Sequence, residues 1–154
     1  MKIYRNIFAS IVVLIMLIIY SFSAQPRESS NSLSTYVANI IINILPHSDN
    51  VKIDQEQAVS RLNVYIRKYA HFMLFCILGI FVALTFCNNE VSKTILAFSL
   101  LFCLFCAIGD EVHQLFVPGR GAQVRDVIID FSGSCLGVGI VYALKVRARR
   151  HISH

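Results

Sequence analysis

The segment GDEVHQLFVPGRGAQVRDVIID, Gly109–Asp130, decides how the chain is read. It carries four of the nine acidic residues (Asp110, Glu111, Asp126, Asp130), two arginines (Arg120, Arg125), one histidine and a Pro-Gly pair. Apolar runs flank it on both sides, 95–108 before it and 127–144 after it. Ionised groups are costly between such runs, about 2.5–3.5 kcal/mol each at a helix centre on insertion scales. A chain that keeps so many there is expected to use them.

Composition sets the surroundings. Of 154 residues, 56% are hydrophobic and 15% charged, and mean hydropathy is +0.63. Soluble proteins average about 25% charged, and a soluble domain this small cannot hide so much apolar surface. The composition predicts a small integral membrane protein with a single domain over 1–154. Its fold class is all-α: a bundle of four transmembrane helices plus a short amphipathic interfacial helix. The five cysteines are odd in number and all lie within or at the end of apolar runs, so they read as small buried residues rather than a disulfide framework. Net charge is +5, and Lys145, Arg147, Arg149 and Arg150 crowd the C-terminal tail. A short basic tail without interleaved aromatics fits anionic lipid, not nucleic acid.

The spans are expected at about 4–24, 68–87, 93–110 and 126–145, each near the roughly 20 apolar residues a crossing helix needs. The first begins after Lys2 and Arg5; it is read as a retained helix rather than a cleaved signal peptide. The loop 25–66 opens on a serine-rich segment. It then places Leu33, Tyr36, Val37, Ile40, Ile41, Ile44 and Leu45 on one helical face, an amphipathic helix over 33–45 that is too short to span. No Pro or Gly interrupts 54–78, so a helix opening near Asp54 is expected to run straight into the second span. Gly133 and Gly137 form a small-xxx-small pair in the fourth, a signal of close helix packing.

Four spans put both termini on one side. With the N-terminus inside, seven basic residues fall on each face, so counting alone does not orient the chain. Eight of the nine acidic residues lie with the outer set, whereas the inner positives crowd the span ends unpaired. Both termini are therefore expected in the cytoplasm, with 109–130 facing outside and a basic tail, 146–154, inside.

The second span opens on Arg67, Lys68 and His71, which share one side of a helix. Asp126 and Asp130 are four apart at the head of the last span, and Asp130 is a full turn deeper. A buried Asp130 needs a partner, and Lys68, His71, Arg120 and Arg125 are on offer. These residues are expected to wall one polar pocket, with Arg67, Lys68 and His71 facing Asp110, Glu111, Gln114, Arg120, Asp126 and Asp130. The set admits three readings: a salt-bridge network that fixes packing, a ligand pocket, or a catalytic site. Basic groups hold phosphate or carboxylate, Arg with a bidentate fork. His71 with Asp110 or Glu111 forms a candidate acid–base set, and imidazole with carboxylates also suits a divalent metal. No cofactor is expected, although the residue types are compatible with a divalent ion. No serine elbow, phosphate-cradling glycine loop or H-E-x-x-H is present.

RKYAHFMLFCILG (Arg67–Gly79) and DEVHQLFVPGRGAQVRDVIIDFSGSCLG (Asp110–Gly137) resemble the two signatures of the VanZ-like family of bacterial membrane proteins. YSFSAQPRESSNSLS (Tyr20–Ser34) is similar to the serine-rich segment that follows the family's first helix. The matching positions are Lys68, His71, Phe72, Asp110, Glu111, Gln114, Pro118, Gly119, Arg120, Asp126 and Gly133. The family usually has Asn where this chain has Asp130. The resemblance implies a four-helix plasma-membrane protein of Gram-positive type, acting in the cell envelope. The founding member lowers susceptibility to the lipoglycopeptide teicoplanin. Membrane lipid is then the expected partner, and a lipid-linked cell-wall precursor or a glycopeptide the expected ligand. An intramembrane hydrolase or transferase acting on such a lipid phosphate, and a packing partner within a larger complex, remain alternatives.

Overall fold

The computed structural model describes residues 2–26, 35–38, 40, 52–87 and 92–152. Among them are four long helices: α1 (Lys2–Ser23), α2 (Lys52–Phe86), α3 (Lys93–Gln114) and α4 (Val124–Ile152). No strand occurs among the described residues. Each helix contains a stretch long and apolar enough to cross a membrane: Ile3–Ser23, Arg61–Phe86, Lys93–Gln114 and Val124–Arg150. The chain is an all-α, multi-pass membrane bundle. Of the expected interfacial helix at 33–45, residues 35–38 and 40 are described, all helical; the rest lies outside the described residues. The side chain of Asn63 on α2 donates to Thr35 Oγ1 at 2.9 Å, tying that segment to the bundle.

The surface pattern is that of a protein in lipid. Phe98, Phe105, Leu136, Ile140 and Leu144 face outward, while Ser99, Ser134 and Asp130 are buried. In water this would cost a great deal; in hydrocarbon the outward apolar belt is the stable arrangement. The inward core joins Val12, Ile15 and Ile19 of α1, Phe75, Leu78 and Val82 of α2, Cys103 and Ala107 of α3, and Val138 and Val141 of α4. All five cysteines are free thiols, buried or half-buried.

α2 and α4 run parallel and touch backbone to backbone. A Cβ on Gly133 would collide with the carbonyl oxygen of Phe72, one on Gly137 with that of Cys76, and one on Gly79 with that of Ser134. Ser134 Oγ donates to the Phe75 carbonyl at 3.2 Å within the same contact. The small residues thus remove the spacing layer that side chains would otherwise impose. The pairing keeps its register along both helices: Lys68 meets Asp126 near one end, and Lys145 donates to the Cys87 carbonyl at the other, each pair separated by 58 positions.

α3 runs antiparallel to this pair. Ser92 opens it, accepting from the Thr94 N–H at 3.2 Å. It continues through Gln114, so Asp110, Glu111 and Gln114 sit on helix rather than loop. Tight turns then carry the chain to α4. Val117–Arg120 closes on the Arg120 N–H to Val117 carbonyl bond at 3.1 Å, with Gly119 at φ 74°. A positive φ at the third position of a Pro-Gly turn suits glycine, which has no Cβ to clash.

Gly137→Ala is expected to lower stability by about 1–3 kcal/mol, because its methyl meets main chain that cannot rotate away. A Cβ at Gly139 meets nothing within 4 Å, so Gly139→Ala is expected to be neutral or slightly stabilising. Thermal unfolding of the two variants in detergent checks this; equal midpoints would refute the close-contact account.

Candidate functional site

The site forms where the N-terminal parts of the α2 and α4 spans meet the C-terminal end of α3. The parallel register of α2 and α4 stacks their polar residues like rungs. Lys68 pairs with Asp126, and one turn deeper His71 faces Asp130. Below that rung the glycine contact begins, and no room is left for side chains. α3 closes the third side with Asp110, Glu111 and Gln114.

These groups surround one small cavity of about 20 Å³, room for about one water. α2 lines it with Arg67, Lys68 and His71, α3 with Glu111 and Gln114, α4 with Asp126, Ile129 and Asp130, and the turn with Arg120. Asp110 lies behind, its carboxylate 3.9 Å from His71 Nδ1 and accepting from Gln114 Nε2 at 2.9 Å. The structure therefore brings together all nine residues singled out from the sequence. Arg125, also named as a partner for Asp130, is instead exposed on the outer side of α4.

Their pairings differ in detail from what spacing suggests. Among the described residues, the carboxylates within 4 Å of His71 are those of Asp110 and Asp130, not Glu111. Glu111 accepts the Gln123 N–H at 2.8 Å. It thus holds the residue just before α4, serving as a tertiary cap for that helix start. Asp126 stands in the first turn of α4, where a negative charge also suits the helix dipole. His113, three residues after Asp110, turns away from the cavity. Its ring packs on Tyr20 of α1 with centroids 4.2 Å apart, along a separate apolar hollow between α1, α2 and α3.

Arg120 is incompletely satisfied. Its Nη2 reaches the Phe22 carbonyl at only 3.4 Å, and its buried Nε has no hydrogen-bond partner among the described residues. Burial pulls its guanidinium below the usual arginine range, and the charge of Arg67 adds to this; Asp110 and Glu111 act against it. Neither Arg67 nor Arg120 has a carboxylate within 4 Å among the described residues. Two guanidinium groups not engaged in ion pairs among the described residues thus share the cavity with the carboxylates of Glu111, Asp126 and Asp130.

The sequence reading missed what adjoins the cavity. A broad apolar groove, about 710 Å³, is lined by Tyr65, Tyr69 and Phe72, with Arg125 at its edge, and it shares Lys68 and Ile129 with the polar cavity. The outward-facing aromatics at one-turn spacing on α2 were the available signal.

Family comparison agrees with this architecture. The VanZ/LLP1 family model matches residues 8–145. The chain belongs to that family. No curated protein and no solved structure matches it. The matched range takes in every residue lining the cavity.

Replacing Glu111 by Ala in this VanZ/LLP1 chain is expected to cost about 0.5–2 kcal/mol, the scale of a lost helix cap. Glu111→Gln keeps an acceptor for the Gln123 N–H and is expected to lose less. Hydrogen exchange at the first turn of α4 reads this directly; equal protection in both variants would remove the capping role. For Lys68 and Asp126, a double-mutant cycle to Ala is expected to give a coupling of about 0.5–3 kcal/mol.

Proposed function

We propose that this VanZ/LLP1 protein works in the bacterial plasma membrane, holding the headgroup of an anionic, lipid-linked ligand at the mouth of the polar cavity from the outer face. Teicoplanin tolerance, the property of the family's founding member, is the expected cellular outcome. The observation that carries this reading is the junction of two unlike surfaces. Arg67 and Arg120, with no carboxylate within 4 Å among the described residues, line a cavity that shares Lys68 and Ile129 with a broad apolar groove. A phosphate at the mouth of the first can take charge-assisted hydrogen bonds from the two guanidinium groups, with one oxygen reaching inward, and an acyl or prenyl chain suits the second.

Charge distribution supports the orientation. The cavity lies at the end of the bundle opposite Lys145, Arg147, Arg149 and Arg150, so placing that basic end in the cytoplasm points the cavity outward. A lipid-linked cell-wall precursor meets the same chemistry, with a phosphate at headgroup depth and a chain in the bilayer.

Binding of a fluorescent polyprenyl phosphate to protein in nanodiscs tests the proposal. Arg120→Ala is expected to weaken binding by about tenfold or more, the loss of about 1.5–3 kcal/mol for a charged hydrogen bond. Arg120→Lys should recover it only in part, since a lysine lacks the planar fork. The matching polyprenyl alcohol should bind weakly to all three. Equal binding of phosphate and alcohol would overturn the headgroup reading. In cells, loss of teicoplanin tolerance by Arg120→Ala, with the protein still present in the membrane, would tie binding to the phenotype.

A further inference from the structure

We propose that His71, Asp110 and Asp130 form a binding site for one divalent cation of the Zn²⁺ or Mn²⁺ type, set at the floor of the polar cavity. Their ligand atoms lie within 4.8 Å of one another. Each comes from a different helix: His71 from α2, Asp110 from α3 and Asp130 from α4. A site assembled in this way joins the three helices where no glycine contact holds them.

The separations favour a shared ion over direct pairing. His71 Nδ1 is 3.7 Å from Asp130 Oδ2 and 3.9 Å from Asp110 Oδ2. Both exceed the roughly 2.7–3.2 Å of an N–H···O hydrogen bond. Donors about 2.0–2.2 Å from a metal stand about 3.4 Å apart in a tetrahedral arrangement. Closing the set around an ion would draw His71 toward each carboxylate by a few tenths of an ångström, and the two carboxylates, within 4.8 Å of each other, together by up to about 1.4 Å.

A second observation points the same way. Asp130 is 1% exposed, and its Oδ2 accepts no hydrogen bond among the described residues. A buried carboxylate oxygen with no donor is expensive, and aiming it at a cation removes that cost. Charge balance agrees. Lys68 is committed to Asp126, and among the described residues no Lys or Arg nitrogen lies within 4 Å of Asp110 or Asp130, which leaves both carboxylates open to a cation. Gln114 donates to Asp110 at 2.9 Å and fixes that carboxylate, the kind of supporting contact that orients metal ligands. One imidazole and two carboxylates, without a thiolate, suit a borderline or hard divalent ion.

The cation deepens the headgroup reading and rests on it in one respect: a phosphate oxygen entering the cavity would complete the coordination. The site itself is tested without lipid. Purified full-length protein in detergent is stripped with chelator, titrated with Zn²⁺ or Mn²⁺, and read by elemental analysis and, for Mn²⁺, electron paramagnetic resonance. About one equivalent is expected to bind saturably. Asp130→Asn, which keeps the shape and relieves the buried charge, is expected to fold and to bind about tenfold or more weakly. Gln114→Leu is expected to bind about 10–100-fold more weakly. The metal should raise the thermal midpoint of the unaltered protein and leave that of Asp130→Asn unmoved. No saturable binding by the folded protein, or undiminished binding by Asp130→Asn, would overturn the site. Polyprenyl phosphate binding measured in chelator keeps the two ideas apart. Its survival without a metal site removes the cation alone, and its absence beside intact metal binding removes the headgroup reading alone.

Discussion

Direct backbone contact between α2 and α4 is the constraint on which the other features depend. Gly79, Gly133 and Gly137 allow it, and Ser134 adds a hydrogen bond across it. In a bilayer, apolar side chains gain little by leaving lipid for one another, so association rests on close van der Waals fit and a few polar links. The same contact fixes the register that sets Lys68 opposite Asp126 and His71 opposite Asp130. A slip of one residue along either helix would turn these side chains through about 100° and leave charges toward lipid. The glycines deeper in the bundle therefore position the polar rungs above them.

The polar groups in turn divide into those that hold and those that wait. Lys68 with Asp126 and Glu111 with the Gln123 N–H are closed interactions that anchor the start of α4. Among the described residues, Arg120 Nε and Asp130 Oδ2 are buried without a hydrogen-bond partner. Evolved interiors rarely keep such groups without a use, because desolvation is uncompensated until a partner arrives. The proposed anion and cation would satisfy opposite sides of the same hollow.

Much of this was legible in the sequence. The four apolar runs announced the spans, and the unbroken stretch before Gly79 announced that α2 enters its span without a break. Intramembrane charge must turn inward, which puts His71, Asp110 and Asp130 in common company. Partner choice was not legible. Helical spacing shows that Asp126 and Asp130 share a face but not which rung of α2 each meets, because that depends on the depth of the glycine contact. The role of Glu111 depended on how tightly the 115–123 segment folds back, which turn geometry sets and periodicity does not. The groove beside the cavity belongs to two helices at once, so neither stretch of sequence displays it alone.

The missing side-chain layer between α2 and α4 also has a mechanical side. Main chain pressed on main chain has almost no rotamers to yield, so these helices should behave as one stiff strut. α1 and α3 meet this pair through side chains, and each other through the Tyr20–His113 stack. Any breathing of the bundle would then be a swivel of α1 and α3 against a fixed post, carrying Asp110 and Gln114 toward or away from His71 and Asp130 about the Glu111–Gln123 tether. The entrance would widen without disturbing the half that keeps the register.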